Sequence, residues 1–323
     1  MSDINLSERL VRYGELVPCR TAFIDAHTPG SNQKENFTII GGGVSESPDQ
    51  HVHIKETPGF NIGAAGQPPK CRNSLHSHRT AEVFFVLKGR WRFFWGRHGT
   101  AGEVVLEEGD IFNIPTGIFR GFENIGTDYG MIMAILGGDD AGGGVIWAPQ
   151  VIEDAQDHGL VLGENGKLFD TKKGERLPDG VAPMPVLTQD ELKAFPEPTA
   201  AEVVPIYVAR YWDMYALANG APASVIAEHG LLRDRPGFEV EFLSANSLGE
   251  DALQRRETHD VLMGMKGHWS VACDGENVTL APGDTLAIPP NCAYTLAPAM
   301  SGEASLFRVS STSDEAGATG RLL

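Results

Sequence analysis

Leu75-His76-Ser77-His78 and, four residues on, Glu82-Val83-Phe84-Phe85-Val86-Leu87 open a run to Asn124 that decides the fold. On an extended strand side chains alternate between two faces, so His76 and His78 point the same way and both imidazoles can reach one ion. Glu82 to Leu87 reads as the next strand, rich in β-branched and aromatic residues and stopped by Lys88-Gly89, with Glu82, Phe84 and Val86 on one face. A carboxylate there completes a metal-binding face. The run closes with Gly109-Asp110-Ile111-Phe112-Asn113-Ile114-Pro115-Thr116-Gly117, then Arg120 and Asn124.

Outward from this run the pattern stays β. Phe37 to Ile40, Gln50 to Ile54, Arg90 to Trp95, Glu103 to Leu106, Ile111 to Ile114, Ile118 to Asn124 and Tyr129 to Leu136 read as short, closely spaced strands, the all-β signature. The segment Gly63 to Pro69 reads as the approach to the His76 strand. His51 and His53 form a second His-x-His pair, without a partner carboxylate in the right context, and are read as an ordinary half-buried strand. His98 falls in the turn Gly96-Arg97-His98-Gly99 and is read as solvent-exposed.

The second half repeats the first. Pro58-Gly59-Phe60 recurs as Pro236-Gly237-Phe238, Gly89 as Gly267 and Trp91 as Trp269, each 178 residues later. Gly109-Asp110 recurs as Gly283-Asp284 and Pro115 as Pro289, 174 residues later, four residues having been lost from the hairpin between. The same offsets map His76 to Gln254, His78 to Arg256, Glu82 to Asp260 and Arg120 to Tyr294. These cannot rebuild a two-histidine site, and His259, one residue out of register, is expected to face away.

The run from His76 through Glu82 to Gly89 resembles the first motif of the cupins, and that from Gly109 through Pro115-x-Gly117 to Asn124 resembles the second. Where the family usually carries a fourth ligand, a histidine, this chain has Arg120. The resemblance implies an all-β chain of two tandem jelly-roll barrels with the site inside a barrel mouth, and short helices in the N-terminal arm and between the barrels. The expected division is an arm over 1–36, an N-terminal barrel with the metal site over 37–138, an inter-barrel segment over 139–222, a degenerate, metal-free C-terminal barrel over 223–311 and a mobile tail over 312–323. In the arm, Asn5-Leu6-Ser7-Glu8 has capping-box spacing and the segment is expected on the outside of a barrel or on a second subunit. Between the barrels, Pro149 to Ala155 and the residues after Thr188-Gln189-Asp190-Glu191 are expected to be helical, and Tyr207, Tyr211, Trp212 and Tyr215 to pack on a barrel or a neighbouring subunit.

Two readings of Arg120 remain. In the first, His76, His78 and Glu82 hold one divalent transition metal, a donor set that favours Fe(II) and also admits Mn, Ni or Zn, while Arg120 holds a substrate anion between Phe84 and Phe122. In the second, Arg120 pairs with Glu82 and no metal is bound. The first is favoured because the ligand spacing survives in one half and is lost from the other. It corresponds to a mononuclear metal oxygenase acting on a small aromatic or carboxylate-bearing substrate, similar in architecture to the gentisate 1,2-dioxygenase group, which uses three histidines where this chain has Glu82. The alternatives are a non-catalytic or regulatory protein binding a small anion without metal, and a metal-dependent isomerase or lyase.

Of 323 residues, 26 are basic and 43 acidic, a net charge of −17 that disfavours nucleic acid and anionic membranes as partners. The four cysteines have no paired spacing and no apolar run is long enough for a signal peptide or membrane span, so a cytoplasmic protein with free thiols is expected. A homodimer or higher homo-oligomer is the expected assembly.

Overall fold

The computed structural model describes residues 5–138, 144–232, 237–249 and 252–312. Asp139 to Gly143, at the start of the expected inter-barrel segment, Pro236 of the repeat, and the tail from Ser313 onward lie outside the described residues. Two β-barrels account for most of the rest. In the first, a seven-stranded sheet is built around Glu82–Lys88, Gly130–Gly137 and Phe60–Gln67, and faces a five-stranded sheet built around Arg72–His78, Arg120–Asn124 and Trp91–Trp95. The second repeats this with a six-stranded sheet around Asp260–Lys266, Ser305–Ser311 and Phe238–Ser244, facing a four-stranded sheet that carries Leu253–Arg255 and Ala293–Pro298. Among the described residues no helix is long and apolar enough to cross a membrane.

The outer faces of the two larger sheets meet in one continuous apolar core. Phe60 and Phe238, equivalent residues of the repeat, touch across it with ring centroids 5.7 Å apart, and Phe85 meets Phe307 at 4.5 Å. Contact between equivalents is what a two-fold relation between like units produces. Burial of each such ring contributes on the order of 2 kcal/mol, so the interface holds the barrels as one body.

A second repeat, which the strand pattern did not reveal, locks them together. Leu10–Val11 of the N-terminal arm adds a strand to the second barrel, and Val208–Ala209 adds one to the first. After each comes the same dipeptide: Arg12-Tyr13 and Arg210-Tyr211. Arg12 Nη1 donates to Asp284 Oδ2 at 2.6 Å and Tyr13 N to Asp284 Oδ1 at 2.9 Å; Arg210 Nη1 donates to Asp110 Oδ2 at 2.7 Å and Tyr211 N to Asp110 Oδ1 at 2.9 Å. Each tyrosine ring lies on the glycine before that aspartate, Gly283 or Gly109, where φ is +86° or +85° and a side chain would collide with the ring. The segment before each barrel therefore clasps the other barrel of the same chain. Asp110 is buried and also accepts Glu107 N, so Asp110→Ala orphans two backbone donors and removes the Arg210 ion pair; it is expected to cost ~3 kcal/mol of stability, read as a fall in the urea midpoint.

Gly63 to Pro69 differs from expectation, because Phe60–Gln67 is an eight-residue strand pairing along its whole length with Gly130–Gly137. Its small residues hid it: Gly66 lies under Tyr129, and Ala64 and Ala65 leave room inside the barrel. The helices at Pro149–Asp157 and Gln189–Leu192 lie where expected, the latter with both halves of its capping box formed at Thr188 and Glu191. Two more, Ala200–Tyr207 and Tyr211–Leu217, were not anticipated, although Thr199-x-x-Glu202 is a second capping box. Asn5 Oδ1 accepts Ser7 N and Glu8 N, but the turn it caps is a single 3₁₀ turn.

Candidate metal centre

The strand Arg72–His78 carries a bulge. Arg120 pairs with His76 but Phe122 pairs with Asn73, so three residues on this strand oppose two on its partner. The extra residue shifts the parity, and Asn73, His76 and His78 all face the barrel interior. Residues 79–81 then carry the chain across the mouth to the opposite sheet, which begins at Glu82.

His76, His78 and Glu82 are all buried, and each offers a ligand atom lying within 4.8 Å of the others. His76 Nδ1 lies 2.7 Å from Ser74 O, which makes it the protonated nitrogen and leaves the Nε2 lone pair free. The His78 ring stands at 89° to it, with Nε2 3.6 Å from Glu82 Oε1. Burial, reinforced by Arg120, pushes both imidazoles well below their ordinary range, so they are neutral donors at physiological pH. Two neutral imidazoles and a carboxylate converging on one point can hold a metal ion, and this is the one such group among the described residues.

Arg120, expected to face the cavity, does not line it. Its Nε donates to Glu82 Oε2 at 2.9 Å, Nη2 donates to the same oxygen, and Nη1 donates to His76 O at 3.1 Å. Burial raises the Glu82 carboxyl, and Arg120 offsets that rise only in part; the guanidinium keeps its proton and favours the carboxylate form beside it. The pairing uses Oε2 while Oε1 faces His78. The ion pair and the three-ligand face, alternatives in the sequence, thus coexist in the geometry.

Phe84 and Phe122 line the cavity beside the three ligands, their rings 5.2 Å apart. Its volume is about 70 Å³, room for a few water molecules or a ligand of a few heavy atoms. Beyond His76, the Trp147 ring packs 5.3 Å from the imidazole and donates its Nε1 proton to Glu46 Oε1 at 2.6 Å. Burial pushes the Glu46 carboxyl up to about 8, from an ordinary 4.5. Unfolding releases that carboxyl to ionise, so its contribution favours the fold below about 4.5 and is lost as pH rises to about 8. Wild type is expected to lose on the order of 4 kcal/mol to this group across that window. Urea midpoints for Glu46→Gln at acid and alkaline pH should show a correspondingly shallower fall.

In the second barrel the mapped residues occupy equivalent places: Gln254 pairs with Tyr294 as His76 pairs with Arg120, and Asp260 with Ile288 as Glu82 with Ile114. Their side chains are taken up by hydrogen bonds within this barrel. Tyr294 donates to Asp260 Oδ2 at 2.7 Å, Ser310 to Asp260 Oδ1 at 2.6 Å and Arg308 to Gln254 Oε1 at 2.8 Å. His259 Nε2 points instead toward Glu56, 3.7 Å away. His53 is fixed by Thr38 O at 2.7 Å and His98 is exposed, neither lining the cavity of the first barrel. All four cysteines are free and buried.

Residues 66–136 match a family model described as a cupin domain. No curated protein sequence matches the chain. Among solved structures it is similar to a salicylate 1,2-dioxygenase from Pseudaminobacter salicylatoxidans, at 17% identity over 93% of this chain and 82% of that one, with a TM-score of 0.53. It is also similar to an oxalate decarboxylase from Lactobacillus farciminis, solved as a formate complex, at 11% identity over 96% and 87%, with a TM-score of 0.55. At these identities the likeness is one of fold, and it extends through both barrels. With a cupin motif closing around His76, His78 and Glu82, residues 66–136 form a cupin domain, and with a second barrel repeating the first the whole chain has a two-barrel fold of the cupin kind.

Proposed function

We propose that the first barrel is a mononuclear metal centre and that the protein is an oxygenase acting on a small carboxylate-bearing substrate. The observation that carries this is the convergence of two neutral imidazoles and one carboxylate oxygen inside a cavity. His76 and His78 bind through Nε2, oriented by the carbonyl of Ser74 and the backbone of Gly144, and Glu82 through Oε1. A donor set of two imidazoles and one carboxylate suits ferrous iron, which when bound would supply dioxygen activation and Lewis acidity. Arg120 orients Glu82 and offsets its charge. Phe84, Phe122 and Trp147 exclude water around the substrate's apolar part. The neighbouring folds act, by their names, on salicylate and oxalate, both carboxylic acids, and a cavity with room for a few heavy atoms makes short carboxylic acids the first substrates to try. Iron-loaded protein is expected to consume oxygen only with such an acid present; decarboxylation without oxygen uptake would move the assignment to a lyase.

The Arg120–Glu82 pair favours a second reading, since a guanidinium already supplies the carboxylate's counter-charge. In it the barrel binds a small ligand without metal. Ligand binding that survives both chelation and His76→Ala would select it.

A further inference from the structure

Inside the first barrel, opposite in role to the metal face, lie two carboxamides. Asn73 lines the cavity on the same strand as His76 and His78, and Asn36 lines it from the facing sheet. Asn73 is 5% exposed and its Oδ1 accepts a hydrogen bond from Lys34 Nζ at 2.7 Å. An ammonium can only donate, so the amide cannot be flipped, and Nδ2 is the atom that Asn73 can offer to a ligand. Asn36 Nδ2 is buried with no hydrogen-bond partner. Buried donors left unpaired are costly and rare, which marks Asn36 as a donor that a ligand acceptor would complete.

The charges nearby are spent. Lys34 is ion-paired with Asp25 and Arg120 with Glu82, all four buried. No lysine or arginine is among the residues lining the cavity. A second carboxylate set against these amides would thus be desolvated without a counter-ion, while a hydroxyl or carbonyl oxygen would be satisfied.

Resting on the metal reading above, we propose that Asn73, held by Lys34, is a specificity-determining residue that selects a short monocarboxylate with a neutral oxygen acceptor at its far end. The carboxylate goes to the metal and the neutral oxygen takes Asn73 Nδ2, with Asn36 as the second donor. A dicarboxylate and a plain alkanoate of the same length are both discriminated against, the first by uncompensated charge and the second by leaving the amides unpaired.

Calorimetric titration of cobalt-loaded protein with propanoate, 3-hydroxypropanoate and malonate tests this. The hydroxy acid is expected to bind at least about tenfold more tightly than either of the others. In Asn73→Ala that preference should fall to within about twofold while cobalt content stays at the wild-type level. Cobalt-loaded wild type that binds malonate as tightly as the hydroxy acid overturns the selection by charge, and an unchanged preference in Asn73→Ala overturns the role of Asn73. The order of the three acids in wild type needs no variant to fold. Wild type that takes up no cobalt overturns the metal reading itself, and the inference with it.

Discussion

Arg120→Met should make the protein's stability depend on metal. Without metal, the substitution leaves Glu82 ionisable and unpaired in a site where both residues are buried, at a cost of ~3–5 kcal/mol. For a chain of this size that corresponds to a fall in melting temperature of about 4–7 °C. A divalent ion restores the missing counter-charge at Oε1, so added metal should recover most of the loss and stabilise the variant more than it stabilises wild type. The measurement is thermal unfolding of both proteins with chelator and with metal. Equal sensitivity to metal in the two would mean that Arg120 and the ion do not share Glu82.

Glu82→Leu should be worse than either single loss of a ligand, because it removes a metal donor and also strands Arg120, which is 2% exposed and has only His76 O left to bond. The same 3–5 kcal/mol scale applies to the stranded guanidinium. Combining Glu82→Leu with Arg120→Met replaces the ion pair by apolar volume, and stability should return close to wild type. Metal binding should not return with it. A double-mutant cycle in urea, with metal content measured in parallel, separates the two roles of the carboxylate. If the double variant is no more stable than Glu82→Leu, the pair is not the coupled unit that the hydrogen bonds at Oε2 describe.

Much of this was legible in the sequence because it rests on spacing. His76, His78 and Glu82 announce themselves through strand parity and a short turn, and the repeated Gly-Asp and Pro residues fix the register of the second barrel, down to Gln254 opposite Tyr294. What was illegible rests on departures from regular spacing or on long-range contact. Asn73 sits three residues before His76, and only the bulge turns it inward. The strand Phe60–Gln67 is built of glycine and alanine where it borders the cavity, so it lacks the β-branched signature that the other strands carry. Arg12-Tyr13 and Arg210-Tyr211 repeat at their own offset, 198, outside the register of the barrels. A search for short repeated dipeptides would have found them. The direction of Arg120 was open for a different reason: two physically sound partners, a substrate anion and Glu82, compete for one guanidinium, and residue type alone does not choose between them.

The most direct test of the metal centre is anaerobic titration of chelator-treated protein with ferrous ion, alongside His76→Ala. One equivalent taken up by wild type and none by the variant is the predicted result. Wild type that takes up none, or a variant that takes up as much as wild type, would contradict it.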